Sequence, residues 1–137
     1  ITEGMPPEIN LLNEKNNGEN VLKLINNNLV LSSHDVPSGG LIVALSEMSM
    51  SSNFGVKIQK PKKLTNLIKY FFGEDQGRYL LEIDSANLVK VEKILKDNNI
   101  YFENIGLTQQ EFIEIEGELK IKIKDLFKMN NEWYNKY

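Results

Sequence analysis

An α+β layered domain, with a mixed, partly antiparallel sheet covered by helices, is the fold class this sequence predicts. Three observations predict it. Apolar residues recur at helical spacing in some stretches and alternate in others. The two patterns interleave at short intervals, in the order α, β, α, β, α, β, α, β, β, β, α. A hairpin pattern near the end makes an all-parallel sheet a poor fit. The 137 residues, 41% of them hydrophobic, suffice for one domain over residues 1–137 with its own core. Residues 1–7, around Met5-Pro6-Pro7, are expected to be linker, and the missing initiator methionine suggests a piece of a longer chain.

Each element has a local signature. Val21, Leu24 and Ile25 keep helical spacing after Gly18, and that helix should end at Asn26 to Asn28. A strand is expected from Leu29 to about His34. Ser38 is then placed to N-cap a helix whose Leu41, Ala44, Leu45 and Met48 share a face and which should stop near Asn53-Phe54-Gly55. Val56 to Ile58 reads as a short edge strand. Leu64, Leu67, Ile68 and Phe71 follow the i, i+3, i+4, i+7 rule, with Gly73 as the C′ residue. Tyr79, Leu81 and Ile83 alternate as a half-buried strand, and Ser85 is placed to cap a helix bearing Leu88, Val91 and Leu95. Ile100 to Ile105 reads as a strand. Ile113 and Ile115, a two-residue Glu116-Gly117 turn, then Leu119 and Ile121 spell a hairpin. Leu126, Met129 and Trp133 should line the face of a last helix that packs on the sheet. The asparagine runs are expected at element ends, where Asn tolerates left-handed geometry, and the methionines as core filler.

Composition removes several functions. Sixteen basic against nineteen acidic residues give a net charge of −3, and no basic cluster exceeds Lys60-Pro61-Lys62-Lys63, so no nucleic-acid partner is expected. Without cysteine there is no disulfide frame, thiolate nucleophile or sulfur-ligated metal. No apolar run reaches the roughly 18 residues that span a bilayer, and no leader pattern opens the chain. The expectation is a cytoplasmic protein without a membrane partner.

The single histidine and single arginine fall in two loops. His34, Asp35, Ser38, Gly39 and Gly40 form a strand-to-helix turn whose free backbone N–H groups suit an anion or, with Asp35, a metal. Equally, Gly39 and Gly40 can serve close helix–strand packing while Asp35 and Ser38 cap the helix. His34 can transfer protons, but the sequence offers it no partner. A Ser-His-Asp triad is disfavoured, because neighbouring residues on a strand point to opposite faces. In the second loop Glu74 and Gln76 precede Arg78, a guanidinium suited either to a carboxylate or phosphate ligand or to an internal pair with Glu74 or Asp75.

The stretch SSHDVPSGGLIVALSEMSMSSNFGVKI resembles the HD-x-S-D-GG-L-x-V-A-L-x-E-M segment of the phosphoribosylformylglycinamidine synthase family. FFGEDQGRYLLEI is similar to its F-x-E-S-Q-G-R strand, and IGLT matches further on. The resemblance covers nearly the whole chain and implies the C-terminal domain shared with aminoimidazole ribonucleotide synthase, one part of a synthetase subunit. It implies an ATP-dependent ligase that converts formylglycinamide ribonucleotide and glutamine-derived ammonia to formylglycinamidine ribonucleotide. ATP and Mg²⁺ then belong to the parent enzyme, with none expected for this chain alone. The implied partners are the preceding domains of the synthetase, a glutaminase subunit and a small bridging subunit. No catalytic residue is expected here. The resemblance makes Asp35 a magnesium ligand, whereas Pro37 and Ser38 replace the family's serine and second aspartate, and proline has neither N–H nor hydroxyl to offer. Two other readings stand beside this one: a domain that only packs against neighbours, and the equivalent domain of a selenophosphate synthase, hydrogenase-maturation or thiamine-phosphate kinase relative.

Overall fold

The computed structural model describes residues 9–36, 38–60 and 66–134. The expected linker 1–7, Pro37, residues 61–63 of the basic run and Leu64 lie outside them. The elements are α1 (Leu11–Asn26), β1 (Ser32–Asp35), α2 (Gly40–Ser52), β2 (Gly55–Ile58), α3 (Leu67–Phe72) and β3 (Tyr79–Glu82). A 3₁₀ turn (Ser85–Asn87) leads into α4 (Leu88–Asp97), followed by β4 (Gly106–Gln109), β5 (Phe112–Ile115), β6 (Leu119–Lys122) and α5 (Ile123–Tyr134). The fold is α+β, and its elements follow the expected order.

Strands β1 and β3 pair antiparallel, with His34 opposite Leu80. The other four form a mixed sheet in the order β4-β2-β5-β6. Only the β2–β5 pair is parallel, with Val56 opposite Ile113 and Ile58 opposite Ile115. β2 is therefore an interior strand and not the expected edge. Its short GVKI run is buried at both ends, at Gly55 and Ile58, the mark of a strand covered on its faces and paired on both sides.

Left-handed asparagine stands at the end of three helices: Asn53 (φ 58°) caps α2, and the other two close Schellman motifs. Asn28 (φ 54°) follows α1, and the bonds Asn28 N–H to Ile25 O (2.9 Å) and Leu29 N–H to Leu24 O (3.1 Å) close a Schellman motif. Asn99 (φ 55°) repeats it after α4, with Ile100 N–H donating to Leu95 O at 2.9 Å. In each case the residue after the asparagine packs in the same cluster as its carbonyl partner. This explains two corrections. Leu29 and Ile100 are consumed as caps, so the first strand begins at Ser32, and residues 100–105 form no strand, pairing being deferred to β4. The Asn16-Asn17 and Asn130-Asn131 pairs, by contrast, lie inside α1 and α5.

Other boundaries also move. Gly73 ends α3 with φ −68° and not in the left-handed region. Asp84, rather than Ser85, caps the next helical segment, its carboxylate accepting from Ala86 N–H at 2.8 Å. The hairpin turn has three residues, Glu116-Gly117-Glu118, because Glu118 N–H bonds Ile115 O while Leu119 pairs with Ile115.

The core has two clusters. Leu41, Leu45, Ile58, Phe71 and Ile115 gather α2, α3 and the larger sheet, whereas Leu24, Leu29, Val91 and Leu95 join α1 to α4. Helix α5 packs beside α2. Its expected face is not buried: Met129 is 65% and Trp133 59% exposed, and only Ile123, at its start, is fully enclosed. Among the described residues no helix is long and apolar enough to cross a membrane.

Candidate functional site

Asp35, Val36 and Ser38 of the first loop and residues 74–78 of the second border one polar cleft of about 260 Å³, with Glu14 of α1 on the far wall. The structure thus unites both sequence-predicted loops. Glu14 was invisible to spacing arguments, because only tertiary packing brings α1 here. Asn17 fixes that packing by donating its amide to Gly77 O at 3.0 Å.

Helix α2 starts in an unusual way. Gly39 (φ 92°) and Gly40 (φ 76°) both adopt left-handed backbone. A Cβ on Gly40 would lie 2.7 Å from Phe72 C and 2.8 Å from Phe71 O, so the close approach is to the end of α3 and not to a strand. Among the described residues no side chain of the first loop caps α2, which corrects the roles expected of Ser38 and Asp35. The cap comes from the other loop: Gly39 N–H donates to Glu74 Oε1 at 2.7 Å. A carboxylate at a helix N-terminus offsets the positive end of the dipole.

Arg78 performs the converse task. Its guanidinium donates to Gly73 O at 3.1 Å and to Tyr70 O at 3.5 Å, two carbonyls at the C-terminal end of α3. Asp75 Oδ2 lies 3.7 Å away, a longer ion pair than the short carboxylate bond expected of an internal lock. The cation sits at the negative end of α3, where the dipole favours it. Its side chain keeps 28% exposure on the cleft.

His34 has a partner that the sequence concealed. Its Nε2 lies 3.2 Å from Glu47 Oε2 on α2, and its Nδ1 is 2.5 Å from Asp35 O and 3.5 Å from Asp35 Oδ1. It ties β1 to α2. Asp35 itself is 76% exposed at its side chain. Among the described residues no three His, Asp or Glu side chains converge as a metal site. Magnesium takes an octahedron of oxygens, one or two of them from carboxylates and the rest from phosphate and water, so Asp35 alone makes no complete site. This donor set does not by itself fit the metal role that the family pattern gives to Asp35.

A second, larger hollow of about 760 Å³ adjoins the cleft and shares Val36, Asp75, Gly77, Arg78 and Tyr79 with it. Leu81, Ile83, Val91, Leu95 and Ile105 make its walls largely apolar. At its rim Tyr70 Oη donates to Glu103 Oε2 at 3.0 Å, and Tyr101 Oη donates to Glu103 Oε1. Burial first, and then the bond to the Glu103 carboxylate, hold the Tyr70 hydroxyl protonated well above the usual tyrosine range.

The family model described as AIR synthase related protein, C-terminal domain, matches residues 2–116. Phosphoribosylformylglycinamidine synthase subunit PurL of Pelagibacter ubique (strain HTCC1062) is 46% identical over 134 residues, which are 98% of this chain and 18% of that protein. The subunit from Rhodopseudomonas palustris (strain HaA2) is 36% identical, over 98% of this chain and 18% of its own. The chain thus spans less than one fifth of the length of these relatives. Among solved structures, Thermotoga maritima PurL complexed with FGAR superposes with a TM-score of 0.71 at 17% identity, covering 83% of this chain and 21% of that one. PurLQS from the same organism gives 0.70 at 16% identity, with the same coverage. At that identity the structural likeness speaks for the fold. The family match spans most of the sequence: the chain belongs to the AIR synthase related protein family, as its C-terminal domain.

Proposed function

We propose that this chain serves as the C-terminal domain of a phosphoribosylformylglycinamidine synthase subunit, an ATP-dependent ligase of purine biosynthesis. The observation that carries the proposal is the 46% identity to a PurL subunit across 98% of the chain. A PurL structure complexed with ATP shares the fold, and this supports nucleotide use by the whole protein. Mg²⁺, a glutaminase subunit and a small bridging subunit belong to the same proposal, the PurLQS assembly lending support to the partners. Any metal would take most of its ligands from outside this chain.

Within that enzyme the chain supplies a cleft wall and no reacting group. Glu74 and Arg78 are spent on the ends of α2 and α3. Asp35, Ser38 and Gln76 remain exposed on the cleft and are the side chains free to meet an adjoining domain or a ligand.

The test is steady-state turnover by the intact polypeptide with formylglycinamide ribonucleotide, ATP and ammonia. Amidine formation is expected, and Asp35→Ala together with Gln76→Ala should lower kcat/KM without lowering Tm. An intact polypeptide that phosphorylates another substrate and forms no amidine would sink the ligase assignment. Unchanged kinetics in the double variant would leave the domain a packing unit.

A further inference from the structure

Residues 100–105 bridge the two halves of the core without belonging to either sheet. Ile100 and Phe102 pack on the Leu24–Leu95 cluster, whereas Ile105 packs on the Leu41–Ile115 cluster. The apolar hollow lies between these clusters, and all six residues of the segment line it. One short segment therefore roofs a gap between two separately packed bodies.

What fastens the roof is polar. Glu103 accepts hydrogen bonds from Tyr70 on α3 and from Tyr101 on the segment itself. Hydrogen bonds to a charged acceptor are stronger than neutral ones. Tyr70 also supplies the backbone carbonyl that Arg78 holds, and Arg78 lines both the hollow and the cleft. The path from roof to cleft thus runs through one residue whose side chain serves the hollow and whose carbonyl serves the arginine.

We propose that residues 100–105 form a strap over the hollow, latched to α3 through Tyr70, Glu103 and Tyr101, and that releasing the latch loosens the α3 end gripped by Arg78. The strap is a conformational device, independent of which reaction the enzyme performs. Opening it enlarges the hollow, and the cleft responds because α3 and Arg78 move as one unit.

Hydrogen exchange on the intact polypeptide, read by mass spectrometry, tests the device with two conservative variants. Tyr70→Phe removes one hydroxyl and severs strap from helix. It should speed exchange roughly threefold to tenfold in peptides covering both 100–106 and 66–74. Tyr101→Phe, at an exposed position that keeps the fold, leaves the Tyr70 bond in place and should speed only the strap peptide. Peptides from β5 and β6 should stay at wild-type rates in both. Unchanged exchange of the strap in Tyr70→Phe would overturn the latch. A faster strap with unaltered 66–74 would overturn the coupling, and an equal rise in every peptide would reduce the effect to global destabilisation.

Discussion

Gly39 and Glu74 are 35 residues apart in sequence and 2.7 Å apart in space, the amide of one donating to the carboxylate of the other. The N-terminus of α2, open to an external anion on sequence grounds, is closed by an internal one. Glu74→Gln keeps an acceptor but removes the charge that opposes the helix dipole. The expected loss is about 0.5–1 kcal/mol, seen as a lower Tm that added salt partly hides. A variant that melts like the wild type at low salt would remove Glu74 from the cap.

The two glycines beside that bond should differ. Both need left-handed backbone, so Gly39→Val and Gly40→Val are each expected to cost roughly 1–3 kcal/mol. A Cβ at position 39 would strike the Val43 side chain at 2.4 Å, which can turn aside at some cost, whereas at position 40 it would strike α3 backbone at 2.7 Å. Gly40→Val should therefore melt lower than Gly39→Val. Equal melting of the two, or wild-type melting of either, contradicts this account.

Arg78→Lys retains a cation and loses the planar fork that reaches two carbonyls at once. A loss of about 1–2 kcal/mol in stability is expected, with kinetic effects following from loosened loops. Denaturant midpoints measured beside kcat/KM distinguish the cases: a lower kcat/KM at an unshifted midpoint would assign Arg78 to ligand contact instead.

On the larger sheet Glu114 lies between Lys120 Nζ (3.1 Å) and Lys57 Nζ (3.4 Å). The hydrogen bond from Lys120, partly opposed by burial and reinforced by Lys57, holds its carboxyl below the ordinary glutamate range. A depressed folded-state pKa contributes stability above the unfolded-state value, and this is lost as pH falls through the folded value. Wild type should thus lose Tm more steeply than Glu114→Gln on acidification below the ordinary glutamate range. Parallel Tm curves for the two would show that Glu114 adds nothing pH-dependent.

The order of elements was legible because most helices and strands carry their own period, although β4 (GLTQ) carries none and took the place of the strand expected at 100–105. The site was legible in part. His34 and Asp35 at the end of β1, Ser38, Gly39 and Gly40 at the start of α2, and Glu74, Gln76 and Arg78 before β3 lie in stretches marked by glycine and by rare residue types, but their partners do not follow from spacing. Glu47 reaches His34 from one face of α2, Glu74 displaces Ser38 as a cap, and Arg78 chooses carbonyls over acids. Such choices depend on how α2 and α3 meet end to end, a tertiary fact. Residues 100–105 show the same limit. Their apolar composition suits a strand, yet Ile100 is taken by the Asn99 cap and the rest roof a hollow.

The parallel pairing of β2 with β5 also governs how the domain comes into being. Ile58 waits for Ile115, a partner on a strand that the ribosome makes much later. Contacts this distant in sequence close slowly, because loop entropy is lost before they form. A nascent chain halted before Phe112 carries β2 paired only with β4, an interior strand left as an exposed edge of the kind that invites association with other chains. The last hairpin therefore acts as the fold's closing step, and truncations within it should aggregate during synthesis rather than merely melt early.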